Sequence, residues 1–93
     1  GELVYQSYCS ACHGVNGEGG LGSALRGSTI VMNNQRRHAE IVVKGVPGTA
    51  MQGFRGMFEA SDLASVMTYS ANAFGNESGV LVQPADLKSL IED

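Results

Sequence analysis

An all-α fold of about four helices, closed around one large apolar group, is what three features of this chain predict. Apolar residues recur three and four positions apart between glycine-rich breaks, and the one extended piece is the short run Val80-Leu81-Val82. Core-forming residues are scarce: 93 residues hold no Trp, three Phe and three Tyr, against thirteen Gly. A domain this short buries only about 60–65% of its unfolded surface, so so thin a core needs something else to pack on. The third feature is the run Cys9-Ser10-Ala11-Cys12-His13. One small domain over residues 1–93 is expected.

The first helix is expected over Glu2 to Cys9, with Leu3, Val4, Tyr8 and Ala11 at helical spacing. Gly14 to Gly27 reads as a loop, punctuated by Gly14, Gly17, Gly19, Gly20, Gly22 and Gly27. Backbone of that kind passes close to a flat ligand where side chains would clash. A second helix covers Gln35 to Lys44 and stops at Gly45, with Ile41 and Val42 toward the core. Val46-Pro47-Gly48 is a turn, and Thr49 to Phe58 a loop. Ser61 reads as an N-cap with Asp62 in the first turn. That helix runs to about Phe74, with Leu63, Val66, Met67 and Ser70 on one face, and Gly75-Asn76 ends it. Pro84 opens a last short helix to about Ile91. There is no internal repeat and no low-complexity tract.

The run from Cys9 to His13 spells C-x-x-C-H, the attachment site for c-type haem. Two thiols three residues apart on a helical turn can each form a thioether with one haem vinyl group. His13 then sits under the iron as an axial ligand. A zinc site fits worse: Cys9, Cys12, His13 and His38 are the only soft donors besides methionine, and adjacent Cys12 and His13 suit a tetrahedron poorly. A redox dithiol belongs beside a strand–helix crossover, whereas glycine-rich sequence follows here. A Cys9–Cys12 disulfide would close too small a loop for a structural staple.

Candidates for the sixth iron ligand are Met32, Met51, Met57, Met67 and His38. A thioether is a soft ligand that favours ferrous iron and raises the reduction potential. Met51 is preferred, because a loop held between two helices can lay its side chain across the distal face. Met57 is the nearest rival, six residues on in the same loop. Met67 in mid-helix and Met32 after an apolar run read as packing. His38, beside Arg36 and Arg37, is expected to be exposed.

These residues together resemble the class I cytochromes c over essentially the full length. Gly1 and Tyr5 match that family's glycine–aromatic pair on the first helix, and Val66 and Tyr69 its aliphatic–aromatic pair on the later one. The resemblance implies that these helices cross closely, the glycine letting the backbones touch. Gly48-Thr49-Ala50-Met51 is similar to the family's axial-methionine loop, which implies His13/Met51 ligation. Ser23 stands where the family usually has proline, and the resemblance gives its backbone carbonyl the proton on the far nitrogen of His13. A narrower likeness lies in Ser61–Tyr69, Asn72–Asn76 and Val82–Lys88, which resemble the cytochrome c domain of subunit II of caa3-type oxidases. There the acceptor is a dinuclear copper site on a neighbouring cupredoxin domain, and Phe74 stands where those relatives often carry tryptophan.

The net charge of −3 sits at the end of the chain, where Glu77, Asp86, Glu92 and Asp93 face Lys88 alone. With no basic stripe, nucleic-acid binding is not expected. The acidic tail reads as a solvated helix face. Arg55 is taken as a haem-propionate partner, with Arg26, Arg36, Arg37 and His38 as further candidates. No stretch approaches the roughly 18 apolar residues of a membrane span. Covalent haem attachment in bacteria takes place outside the cytoplasmic membrane, so the periplasmic side is expected, with a signal or anchor removed. Membrane association would come only through a parent subunit from which the domain was excised. The expected role is one-electron transfer between redox proteins, with no substrate chemistry of its own. The alternatives are a free soluble carrier and, if Met51 is not bound, a pentacoordinate haem peroxidase or ligand sensor.

Overall fold

The computed structural model describes residues 1–92, so Asp93, the last member of the acidic tail, lies outside the described residues. Helix α1 (Glu2–Tyr8) runs into a short α2 (Ser10–His13), and Cys9 is the joint between them. The expected first helix is thus two pieces, with the haem motif on a helical turn of its own. Two helices then lie almost end to end, α3 (Thr29–Asn33) and α4 (Gln35–Lys44). The long α5 (Ala60–Asn72) follows. A 3-10 turn (Pro84–Leu87), opened by Pro84, leads into α6 (Lys88–Glu92). The chain is all-α, with only isolated bridges Gly45–Gln52 and Arg55–Phe58 among the described residues.

Local chemistry explains each departure from expectation. The short α3 was not expected, because five residues rich in β-branched side chains carry little helical signal. Ser28 caps it, its Oγ accepting from the Val31 amide at 3.3 Å. The cap of α5 is Glu59 rather than Ser61: Glu59 and Asp62 exchange side-chain and backbone hydrogen bonds as a capping box. That helix ends at Asn72, not Phe74, because Phe74 (φ 60°) and Gly75 (φ 85°) turn the chain into the left-handed region. Val80 to Val82 pairs with no strand. The Val82 amide donates to Thr68 Oγ1 at 2.9 Å, and Asn72 Nδ2 donates to the Val80 carbonyl at 2.8 Å, so α5 side chains hold the segment. The second helix matches its expected limits, with Asn34 as its cap and Gly45 (φ 76°) just past its end.

The core forms where α1 crosses α5. A Cβ on Gly1 would run into the Ser65 carbonyl, so only glycine lets the two backbones meet there. One turn on, Tyr5 is fully buried against Tyr69 and Phe74, with ring centroids 5.6 and 5.0 Å away. Met67, Leu63, Val43 and Leu87 complete the innermost layer. Met67 is therefore core packing, as its mid-helix place predicts. On the other side of this layer the walls part into a cavity.

Candidate haem site

That cavity, about 280 Å³, is lined by apolar side chains from α1, α3, α4 and α5, including Val4, Val31, Val42, Leu63 and Val66. Four chemically distinctive groups reach it: Cys9, His13, Met51 and His38. A second cavity, about 210 Å³, continues toward the surface past Cys12, Leu21, Gly22 and Gln52 and shares Cys9, His13 and Met51 with the first. The result is an apolar slot with the two thiols at its mouth and an imidazole and a thioether in its wall. That donor set fits a flat apolar macrocycle bound through two thioethers and two axial ligands.

His13 is oriented from behind. Its Nδ1 donates to the Ser23 carbonyl at 2.7 Å, which leaves Nε2 with its lone pair free for a metal. Gly22 lies flat on the imidazole: a Cβ there would come within 2.9 Å of Cε1. Met51 hangs from a stapled turn. The Val46 amide donates to the Met51 carbonyl at 3.0 Å, and the Met51 amide donates to Thr49 Oγ1 at 3.2 Å. Thr49 Oγ1 in turn donates to the Val46 carbonyl at 2.8 Å.

The other candidates sort by position. Met57 is exposed (55%) and lines neither cavity. Met32 is half-buried on α3 and also lines neither. Arg55 is exposed and outside both linings, its amide donating to the Val43 carbonyl at 3.1 Å. Arg26 Nη2 donates to the Asn16 carbonyl at 3.2 Å, and Arg37 pairs with Glu40 at 3.6 Å on the surface.

His38 overturns its expectation of exposure. It is buried and forms one face of α4 with Ala39, Val42 and Val43. That face, repeating at one, four and five residues, was the available signal; the flanking arginines obscured it. Burial pushes the His38 imidazole down to about 4. The unfolded chain takes up this proton near the ordinary value of about 6.5. Stability from the neutral imidazole is therefore present above about pH 6.5 and is lost as pH falls through about 4. Denaturant titrations across that window should show wild type losing up to roughly 3 kcal/mol more than His38→Gln.

The rival chemistries find little support. Among the described residues no three His, Cys, Asp or Glu side chains gather as a metal site. Burial, and then the neighbouring Cys12, push the Cys9 thiol up, opposite to the lowered thiol of a redox dithiol. The cysteines form no disulfide with each other.

The chain is similar to known proteins. Residues 1–69 match the family model described as cytochrome c oxidase, cbb3-type, subunit III. A dihydro-heme d1 dehydrogenase of Pseudomonas aeruginosa is 30% identical over 74% of this chain, and cytochrome c55X of Paracoccus denitrificans is 31% identical over 72%. The chain spans only 14% and 64% of those two relatives. Among solved structures, the dihydro-heme d1 dehydrogenase NirN in complex with DHE superposes with a TM-score of 0.69 at 30% identity, over 75% of this chain and 15% of that one. The c-type cytochrome NirC superposes at 0.66 over 88% of this chain and 89% of its own, and at 23% identity it speaks for the fold alone. By sequence, fold and donor set together, this chain belongs to the family described as cytochrome c oxidase, cbb3-type, subunit III, as a cytochrome c domain that carries covalent haem c and moves electrons through it.

Proposed function

We propose that this domain passes single electrons between redox proteins through a haem iron held by His13 and Met51, with Cys9 and Cys12 as the thioether anchors. The observation that carries the reading is the apolar slot with His13 and Met51 in its wall and the cysteines at its mouth. When bound, the haem supplies a reversible one-electron couple. The chain fixes the imidazole through Ser23, holds the thioether through the Val46–Thr49 turn and excludes water with its apolar walls.

The acceptor in this reading is a dinuclear copper site on a neighbouring oxidase domain, with the haem domain on the periplasmic side as part of a membrane-anchored subunit. Its support is the likeness of the segments from Ser61 to Lys88 to oxidase subunit II domains. No described helix is long and apolar enough to cross a membrane. A free carrier is the second reading, supported by the length of cytochrome c55X, of which this chain spans 64% against 14% of the dehydrogenase. Mixing the reduced protein with an isolated dinuclear-copper domain in a stopped-flow instrument separates them. Fast reoxidation supports the oxidase role; slow transfer there with fast transfer to a soluble acceptor supports the free carrier.

Electrons in this reading leave at the mouth beside Cys12, where Leu21 is 92% exposed. Among the described residues no charged side chain lines that outer cavity. The rate should accordingly vary little with ionic strength. Leu21→Glu should slow transfer roughly tenfold, the equivalent of about 1.4 kcal/mol of docking energy. Stopped-flow rates over a salt series check both statements.

A further inference from the structure

Asn76 lies just beyond α5, far along the chain from the haem motif, and makes three side-chain hydrogen bonds. Its Nδ2 donates to the Ser70 carbonyl at 2.8 Å and to the Leu25 carbonyl at 3.1 Å. Its Oδ1 accepts from the Gly27 amide at 2.7 Å. Both N–H donors and the acceptor are engaged at once. Two of the bonds span 49 and 51 residues of sequence, so they tie the loop after the haem motif to the end of α5.

The chain takes an unfavourable course to reach this place. Phe74 sits at φ 60°, a left-handed conformation that strains a bulky side chain. Its ring is wedged between Tyr5 and Tyr69 and lies so close to Gly17 that a Cβ there would meet it at 2.6 Å. The turn that delivers Asn76 is thus clamped by the aromatic core.

The loop held by Asn76 is the one that presents Ser23 to His13. On its upstream side the Gly22 amide is bound to the Cys12 carbonyl at 2.8 Å. Downstream, the Leu25 and Arg26 amides both donate to the Gly17 carbonyl, a bond internal to the same loop. The Leu25 side chain packs on the core and its carbonyl also accepts from the Ser28 amide at 3.1 Å, while Asn76 adds the polar tie that joins both Leu25 and Gly27 to the end of α5. Ser23 itself is exposed.

We propose that Asn76 is a positioning residue for the redox site: by fixing Leu25 and Gly27 it sets where the Ser23 carbonyl stands and so how strongly it holds the His13 imidazole proton. This rests on the reading of His13 as an iron ligand. A firm hydrogen bond at Nδ1 makes the imidazole a stronger donor to the metal and favours the ferric state. Loosening it should raise the reduction potential.

The test uses the haem-bound protein and its Asn76→Ala variant. A wild type without the methionine-to-iron absorption band would sink the ligation reading itself, before any variant is compared. With the band present in both proteins, three readouts decide. The Gly27 amide and the His13 imidazole N–H should each exchange with solvent roughly tenfold faster in the variant, as the loss of one hydrogen bond's net stabilisation implies. The potential should move upward. Asn76→Asp, which keeps the acceptor for Gly27 but loses the donors to Leu25 and Ser70, should speed His13 exchange in the same way, and that exchange is its readout if the alanine variant folds poorly, since the added carboxylate itself shifts the potential. Faster Gly27 exchange with unchanged His13 exchange and unchanged potential would overturn the proposal and leave Asn76 a purely structural tie.

Discussion

Met51→Ala is expected to abolish the methionine-to-iron absorption band of the oxidised protein and to lower the reduction potential by a large share of the roughly 0.8 V over which axial ligands tune haem. The thioether is a soft ligand that favours ferrous iron, and alanine offers nothing in its place. The fold should survive the change. The turn that carries residue 51 is held by the Val46 amide, the residue's own backbone and Thr49, none of which the substitution touches. Visible spectra and potentiometry of the two proteins check this. A band that persists in the variant would move the ligand role to another sulfur, with Met57 the next in sequence. High-spin features already present in wild type would favour ligand binding or peroxidase chemistry at an open iron position.

Tyr5→Ala should be the most damaging single change to stability. Its ring is fully buried, in contact with two further aromatic rings, and its hydroxyl donates to the Gly14 carbonyl at 2.7 Å. Removing a buried aromatic side chain costs about 3–5 kcal/mol, a large part of the 5–15 kcal/mol typical of a whole domain. The melting temperature should fall by roughly 12 °C or more. Tyr5→Phe separates the two contributions: it keeps the ring and loses about 1 kcal/mol with the hydrogen bond. Burial, above all, pushes the Tyr5 hydroxyl up to about 12, so the phenol remains a donor across the working pH range. Thermal melts of the haem-bound variants give both numbers. A Tyr5→Ala protein that melts within a degree or two of wild type would mean that the α1–α5 crossing is held elsewhere.

What could be read in advance was local. C-x-x-C-H is a chemical spacing, and the turn before Met51 is marked by Pro47 and Gly48, so both were visible without any contact map. The end of α4 was visible for the same reason, through Gly45, whereas its Asn34 cap emerged only in the structure. Errors arose where two signals competed within a few residues. Ser61 is the better intrinsic N-cap, yet the reciprocal pair Glu59 and Asp62 starts α5 earlier. Two arginines made the start of α4 read as a solvated surface, while the burial of His38 was decided by the opposite face of the same helix. Asn76 was out of reach altogether: its bonds to Leu25 and Gly27 join residues whose proximity exists only after α5 has packed.

The slot between the aromatic layer and the Met51 loop also bears on how the chain keeps its shape. A protein that completes its core with a dissociable ligand is stabilised in proportion to how much free ligand surrounds it, and loses that help on dilution. Cys9 and Cys12 stand at the mouth of this slot, where, in the proposed reading, thioether bonds would make the filling group part of the covalent chain. Its contribution to folding then becomes intramolecular and independent of concentration. The walls need only be apolar and well shaped, since they are relieved of the task of retention. A chain of 93 residues with thirteen glycines can in this way complete its core without a reservoir of free cofactor.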